Sequence, residues 1–196
     1  MKEIKLNNII KTFSVEDKQF PVLKGLSLSI PDKKITVLLG KSGCGKTTLL
    51  RLIANLEEID SGSITYSDTL KTAFVFQEPR LMPWLNVYKN VAFGLNKNEI
   101  TKSVIEKYIS MVNLLPFKKA YPHQLSGGMQ QRVAIARALA YSPDFIMMDE
   151  PFAALDYFTR EQMQKELINL QVRNQISILF VTHSITDILK NCTDFN

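Results

Sequence analysis

Residues 40–48 read Gly40-Lys41-Ser42-Gly43-Cys44-Gly45-Lys46-Thr47-Thr48, and the fold class can be predicted from them. It follows a continuous apolar run at residues 35–39 and precedes a segment with apolar residues at helical spacing. Strand, glycine-rich loop and helix in this order fit the pattern G-x-x-x-x-G-K-[ST], whose backbone N–H groups and helix N-terminus bind phosphate. We expect the whole stretch to surround a triphosphate, with Lys46 reaching its β and γ phosphates and the Thr47 hydroxyl holding Mg²⁺.

A second phosphate motif lies further along the chain, in the segment Phe145-Ile146-Met147-Met148-Asp149-Glu150. An apolar strand here delivers two carboxylates at its C-terminal end, which is where open α/β sheets bind ligands. Asp149 is placed to hold Mg²⁺, directly or through water. Glu150 is placed to polarise the attacking water, because phosphoryl transfer depends on positioning and charge neutralisation. The sequence therefore predicts hydrolysis of the bound nucleotide.

The remaining patterns place these motifs in an α/β fold of the P-loop NTPase type. Apolar residues spaced by two within the first thirty residues predict antiparallel strands, and the run at 35–39 predicts a strand buried on both faces. Helical periodicity covers 87–141, after which strands and helices alternate again. We expect one domain over 1–196: a mostly parallel sheet with an N-terminal antiparallel β subdomain (1–77 and 144–196), and an inserted α-helical subdomain (78–143).

The composition of the chain limits the kinds of partner that this domain is expected to bind. The chain has 196 residues, is 45% hydrophobic and carries a net charge of +5, but its basic residues are dispersed, which disfavours nucleic acid. Its two cysteines, Cys44 and Cys192, have no paired spacing, so a reducing compartment is expected. No apolar run is long enough for a membrane span and the N-terminus lacks a signal-peptide core. Any membrane association should therefore go through a partner.

A third motif carries a family resemblance: Leu125-Ser126-Gly127-Gly128-Met129-Gln130-Gln131-Arg132. It closely resembles the signature sequence of ABC-transporter ATPases. The order of the motifs matches that family too, with Gln77 after a strand, the segment 154–156 after Glu150, and His183 after the last apolar run. Within the family, segments 76–84 and 149–156 resemble bacterial importer subunits for nitrate, sulfonate, taurine and related solutes.

The resemblance implies ATP and Mg²⁺ as cofactors and gives roles to further residues. It implies that Gln77 touches Mg²⁺ and the attacking water, and that His183 bonds the γ-phosphate and orients Glu150. It also implies an aromatic residue that stacks on adenine, for which Phe13 is the candidate and Phe20 the rival. The implied catalytic set is Glu150, His183, Gln77 and Lys46, and the implied metal set is Thr47, Gln77 and Asp149.

The family also implies a site shared between two chains. Two copies pair head to tail, so that Ser126, Gly127 and Gly128 of one chain meet the ATP held by the loop of the other, with Asp156 at the dimer interface. Such a dimer works with an integral membrane permease and, indirectly, a solute-binding protein, at the cytoplasmic face of the cell membrane as a peripheral subunit. The chain ends thirteen residues after His183, where the family usually continues. We therefore expect a sheet that lacks an edge layer.

Two alternatives differ from a transport ATPase. A nucleotide-dependent interaction module with little hydrolysis or no transport role could carry the same motifs, and use of Glu150 and His183 would discriminate against it. A GTPase is suggested by Asn-Lys-Asn-Glu at 96–99, but this stretch has Glu where guanine selection needs Asp and has no apolar strand before it.

Overall fold

A computed structural model of the chain describes residues 3–66, 69–96 and 101–183. In chain order its strands are β1 (Ile4–Val15), β2 (Lys18–Ile30), β3 (Ile35–Leu39), β4 (Ser61–Tyr66), β5 (Thr72–Val75), β6 (Phe145–Asp149) and β7 (Ser177–Thr182). Its α-helices are α1 (Lys46–Ile53), α2 (Val87–Ala92), α3 (Lys102–Met111), α4 (Gly127–Ala140) and α5 (Tyr157–Asn174). Short 3₁₀ turns lie at Leu115–Phe117 and Pro122–Gln124.

The chain starts with an antiparallel sheet in the order β2-β1-β4. Ile4 pairs with Ile30 on one side and with Tyr66 on the other. Ile4 and Leu6 are buried while Lys5 and Asn7 are exposed, as the spacing of two predicts for a strand with one buried face. The predicted antiparallel β region is therefore confirmed, and β4, which comes after α1 in sequence, belongs to it.

A parallel sheet in the order β3-β7-β6-β5 carries the phosphate motifs. Strands β6 and β7 are buried along their whole length, as continuous apolar runs predict. The same prediction was wrong for β3, which is only half-buried and ends at Leu39 with 48% of its surface exposed. Within the described residues β3 has only β7 beside it, so its outer flank lacks the cover that a central strand receives.

Alternate residues of β6 pack into two different cores. Phe145 and Met147 contact the cluster formed by α1 and the antiparallel sheet, so α1 joins the two sheets. Ile146 and Met148 face the other cluster, which is built from helices α2 to α5. Because strand side chains alternate in direction, this one strand fixes the phosphate loop and the helical segment to opposite faces of the sheet. The carboxylate-bearing end of β6 is therefore held from both sides.

Helices α2, α3 and α4 come after β5 and before β6 along the chain, where helical periodicity predicts helices, and they pack against one another. No helix among the described residues is long and apolar enough to cross a membrane. Several sequence-based expectations fall on residues outside those the structure describes: the C-terminal end after His183, Cys192, and most of the stretch at 96–99 that suggested a GTPase.

Candidate functional site

The phosphate loop runs from the end of β3 to the start of α1. Its backbone needs glycine at position 45, where φ is +98° and an added Cβ would lie 2.8 Å from Cγ1 of Val22. Nζ of Lys46 donates hydrogen bonds to the carbonyl oxygens of Gly40, at 2.7 Å, and Lys41, at 2.9 Å. The loop thus curls around the lysine ammonium group, which gives it a fixed positive charge beside the helix N-terminus.

A cleft of about 490 Å³ opens over this loop, a size within the usual range for small-molecule sites. It brings together the loop, the end of β1 and the side chains that follow β5, β6 and β7. Its lining is Phe13, Val22, Ser42, Gly43, Gly45, Lys46, Thr47, Thr48, Gln77, Glu150 and His183. Residues predicted from five separate parts of the sequence therefore meet in one place.

Three loop residues predicted to bind the cofactor do not line this cleft. Gly40 and Lys41 contribute the carbonyl oxygens that hold the Lys46 ammonium group. Cys44 is exposed, with its Sγ 4.0 Å from Nζ of Lys46. All three residues therefore lie next to the Lys46 ammonium group.

Thr47 and Asp149 form a pair of oxygen donors at the base of the cleft. Oγ1 of Thr47 donates a hydrogen bond to Oδ1 of Asp149 at 3.0 Å, and Asp149 is only 4% exposed. Burial raises the pKa of Asp149, the Thr47 hydrogen bond opposes that rise, and the neighbouring charge of Glu150 adds to it. Hydroxyl and carboxylate oxygens are ligands that Mg²⁺ prefers, and a cation here would offset the buried negative charge, so the residues fit the metal.

No cluster of three or more histidine, cysteine or acidic side chains that could hold a metal ion occurs in the described ranges. A cation at the Thr47 and Asp149 pair would therefore need the remaining ligands that Mg²⁺ usually takes, which are phosphate oxygens and water. Gln77, the third predicted metal ligand, does not contact Asp149. Its Nε2 lies 3.4 Å from Oε2 of Glu150 instead.

Glu150 sits in a turn directly after β6, with φ at +45°. This left-handed conformation is uncommon for a residue with a Cβ. Here the Glu150 N–H donates to the carbonyl of Val181 at 3.0 Å. Nδ1 of His183 is hydrogen-bonded to Oε1 of Glu150 at 2.8 Å. The carboxylate is therefore fixed at the edge of the cleft, oriented by His183 on one oxygen and by Gln77 on the other.

Phe13 and Phe20 face each other across the β1–β2 hairpin, since they are direct pairing partners. Phe13 lines the cleft, whereas Phe20 does not and is 48% exposed. The position of Phe13 suits stacking on a base whose phosphates lie on the loop. Val22 also lines the cleft and was missed from the sequence, because only the pairing of β1 with β2 brings it beside Gly45.

The signature residues lie elsewhere, around a separate cavity of about 380 Å³. Ser126 caps α4 by accepting a hydrogen bond from the Met129 N–H at 3.2 Å. Asp156 caps α5 in the same way, accepting from the Thr159 N–H at 3.0 Å, a contact that lowers the pKa of its carboxyl group. Two helix N-termini, each with a positive dipole end, therefore open onto one surface.

Close packing holds those two helix starts together. A Cβ on Gly128 would lie 2.9 Å from the carbonyl oxygen of Ala154, so only glycine fits there. The cavity is lined by Ser126, Gly127, Gly128, Met129, Arg132, Ala154, Leu155, Asp156 and Thr159. None of these residues lines the phosphate-loop cleft. The chain thus carries two distinct surfaces, both suited to phosphate.

Comparison with known protein families identifies the chain. A family model described as ABC transporter matches residues 23–153, which include the phosphate loop, the signature and the two carboxylates. The chain belongs to the ABC transporter family. This membership confirms the predicted ABC ATPase, its P-loop NTPase fold and its ATP-binding role.

Relatives of this ABC ATPase share its sequence over most of its length. An uncharacterised ABC transporter ATP-binding protein of Methanocaldococcus jannaschii is 42% identical over 94% of this chain and 73% of its own. The aliphatic sulfonates import ATP-binding protein of Bacillus subtilis is 43% identical over 90% of this chain and 72% of its own. The predicted likeness to importer subunits of the sulfonate group is confirmed by these similarities.

A solved structure with the same fold supports the assignment. The ABC ATPase superposes with a TM-score of 0.85 and 32% identity on an ATP-binding cassette solved as a dimer in a post-hydrolysis state with ADP and Pi, covering 94% of this chain and 89% of that one. At 32% identity the two proteins are similar in sequence as well as in fold.

Proposed function

We propose that this ABC ATPase powers a bacterial importer of nitrate, sulfonate, taurine or a related solute, which is the group of importers that its sequence resembles. Several relatives between 38% and 46% identical are named aliphatic sulfonates import ATP-binding proteins, which supports the proposal. The partners are an integral membrane permease and, indirectly, a solute-binding protein. The subunit works at the cytoplasmic face of the membrane, to which the permease holds it.

The observation that carries the ATP-hydrolysing part of this proposal is the contact of Glu150 with both His183 and Gln77 at the mouth of the phosphate-loop cleft. In ATP hydrolysis, Glu150 accepts a hydrogen bond from the attacking water and orients it toward the γ-phosphate. His183 keeps the carboxylate in place and Lys46 neutralises charge on the β and γ phosphates. Thr47 and Asp149 would hold Mg²⁺, with Gln77 as a further ligand implied by the family resemblance, and the metal would supply further charge neutralisation.

The separation of the two phosphate-binding surfaces supports a shared site. Ser126, Gly127 and Gly128 lie at a helix start that does not open onto the chain's own loop. In a head-to-tail homodimer this helix start would face the γ-phosphate held by the partner subunit, and Asp156 would lie at the interface. ATP then joins the two chains, and hydrolysis separates them. The proposed division into a core (1–77 and 144–196) and a helical segment (78–143) assigns the phosphate loop to the core and Ser126, Gly127 and Gly128 to the helical segment.

The helical segment also offers a surface for the permease. Trp84 is 70% exposed, although it sits in a turn that is firmly held. The buried Asn90 side chain accepts from the Met82 N–H at 2.8 Å and donates to the carbonyl oxygens of Met82, Leu85 and Asn86. A large aromatic side chain on a rigid turn is typical of a protein–protein anchor, because little entropy is lost when it is covered.

The test is ATP-dependent dimerisation, measured by light scattering with Glu150→Gln. This change keeps the size of the side chain but removes the charge that activates water, so ATP should accumulate at the site and hold a dimer. Glu78→Gln is the matched control, because Glu78 is exposed and does not line the cleft. We expect Glu150→Gln to form a dimer only when ATP is present. Its ATP turnover should fall by about 10²- to 10⁴-fold, whereas that of Glu78→Gln should not.

A variant that stays monomeric at saturating ATP would refute the shared site. Dimerisation of the unmodified chain with ATP but without measurable turnover would instead favour the nucleotide-dependent interaction module.

A further inference from the structure

We infer that Lys11 is a positioning residue for the nucleotide base, because its ammonium group lies over one face of the Phe13 ring and ties the strand that carries Phe13 to the segment that follows the helix of the phosphate loop. Nothing in the sequence motifs singles out Lys11. The inference rests on the proposed stacking of Phe13 on adenine.

Lys11 is held in an unusual way for a lysine. It is 8% exposed, and its Nζ forms ion pairs with Glu57 at 3.1 Å and Asp60 at 3.3 Å. The same Nζ lies over the Phe13 ring, 5.1 Å from its centroid, which is within the range of a cation–π interaction. Two carboxylates therefore fix a positive charge against an aromatic ring that lines the ATP cleft.

The carboxylate partners of Lys11 also fasten the backbone of β1. Oδ2 of Asp60 accepts a hydrogen bond from the Thr12 N–H at 2.6 Å, and the Asp60 N–H donates to the Ile10 carbonyl at 3.0 Å. The β1 pairing shifts register between Lys11 and Thr12, so the strand bends where these bonds hold it. The end of β1 that presents Phe13 is thereby fixed to the segment of Glu57 and Asp60.

That segment begins where α1 ends, and α1 starts at Lys46 in the phosphate loop. A base on Phe13 and phosphates on the loop are consequently held by two parts of the chain that Lys11 joins. The ammonium group lies over one face of the ring, and the inference requires the base to stack on the other. A fixed ring does not have to be ordered when the nucleotide binds, which improves affinity for the base and leaves the phosphate contacts unchanged.

Comparison of two ligands separates these contributions. ATP uses the base and the phosphates, whereas inorganic tripolyphosphate uses the phosphates alone. Affinities are measured by calorimetry without Mg²⁺, so that hydrolysis does not interfere. For Lys11→Met, which keeps the aliphatic stem, we expect ATP affinity to fall about 3- to 10-fold and tripolyphosphate affinity to stay within about twofold. Lys18→Met, an exposed lysine on β2, is the matched control and should change neither.

Since Lys11→Met leaves two carboxylates without their cation, a second variant guards against misfolding. Glu57→Gln keeps Lys11 and Phe13 but loosens the ammonium group. We expect it to lower ATP affinity about twofold or more, again without an effect on tripolyphosphate. Unchanged ATP affinity in Glu57→Gln and Lys11→Met, or in Glu57→Gln alone if Lys11→Met does not fold, would overturn the inference.

Phe13→Leu distinguishes the failure of this inference from the failure of base stacking. If Phe13→Leu leaves ATP affinity unchanged, the stacking itself is wrong. If Phe13→Leu weakens ATP binding while Lys11→Met behaves like Lys18→Met, stacking stands and the role of Lys11 does not. In the Phe13→Leu background, Lys11→Met should cause no further loss. Full additivity, or an equal loss for both ligands, would mean that Lys11 acts independently of the ring and would refute the inference.

Discussion

Replacing Thr47 by valine tests the proposed metal site most directly. Valine keeps the branched shape of threonine but removes the hydroxyl that donates to Asp149 at 3.0 Å. The Asp149 carboxylate is 4% exposed, so water cannot easily replace that donor. Loss of the hydrogen bond also removes the largest of the contacts that oppose burial and the charge of Glu150, and leaves only the charges of Arg51 and Lys46 to do so, so the pKa of Asp149 rises further. Mg²⁺ must then compete with a proton as well as bind to fewer oxygen ligands.

The size of the effect follows from these contacts. A hydrogen bond to a charged group contributes about 1.5–3 kcal/mol, and every ~1.4 kcal/mol is a factor of ten in an equilibrium constant. We therefore expect the Mg²⁺ concentration for half-maximal ATP hydrolysis to rise by about 10- to 100-fold, in line with other changes to the supporting contacts of metal sites. The rise should be larger at pH 6 than at pH 8, because protonation of Asp149 opposes metal binding.

The assay is the rate of ATP hydrolysis against Mg²⁺ concentration at saturating ATP, at both pH values. Thr36→Val is the matched control, since Thr36 lies in β3 where it pairs with Leu179 and does not line the cleft. Binding of metal-free ATP should stay within about twofold in both variants. A Mg²⁺ midpoint within about threefold of the unmodified protein at both pH values would refute the assignment of Thr47 and Asp149 to the metal.

Three further predictions follow from individual contacts. Burial raises the pKa of Asp149, so the ionised carboxylate lowers the stability of the native state at neutral pH, and acidification through that pKa restores this stability. Asp149→Asn should therefore unfold at a higher urea concentration than the unmodified protein, yet lose Mg²⁺-dependent hydrolysis. A variant that unfolds at a lower urea concentration would contradict this. Asn90→Ala leaves the Met82 and Leu85 backbone groups unsatisfied, and urea unfolding should show a loss of about 2–4 kcal/mol with a shift in the fluorescence of Trp84, the chain's single tryptophan. Sγ of the exposed Cys44 lies 4.0 Å from Nζ of Lys46, so an alkyl group on it should crowd that lysine and block ATP binding, and bound ATP should protect the thiol; unchanged nucleotide affinity after full labelling would count against this.

The sequence predicted the local parts of the site well, because each depends on residues that are close along the chain. A glycine-rich loop between a strand and a helix must expose N–H groups, and an apolar strand ending in Asp149 and Glu150 must deliver carboxylates to the edge of a parallel sheet. Family resemblance extended this to Gln77 and His183, and the structure places both side chains on Glu150. Their roles in hydrolysis stay predictions.

Strand neighbours could not be predicted in the same way. The apolar run of β3 matches that of β6, yet β3 is only half-buried because within the described residues it pairs with β7 alone. Strand β4 follows α1 but pairs with β1, and nothing in its own residues favours that sheet over the parallel one. Sequence patterns report how apolar a strand is, whereas its burial depends on which strands and helices come to lie beside it.

The sequence alone predicted the chemistry of this protein: a loop suited to phosphate, two carboxylates proposed to serve metal and water, and the signature at the start of α4. The directions in which these parts face depend on tertiary contacts. Such contacts place the signature on a cavity separate from the loop, and they hold the Lys11 ammonium group over the Phe13 ring through Glu57 and Asp60. A local pattern depends on residues that are close along the chain, so it can be read from the sequence. The contacts of a segment depend on ion pairs and packing with residues far away along the chain, so they need the tertiary structure.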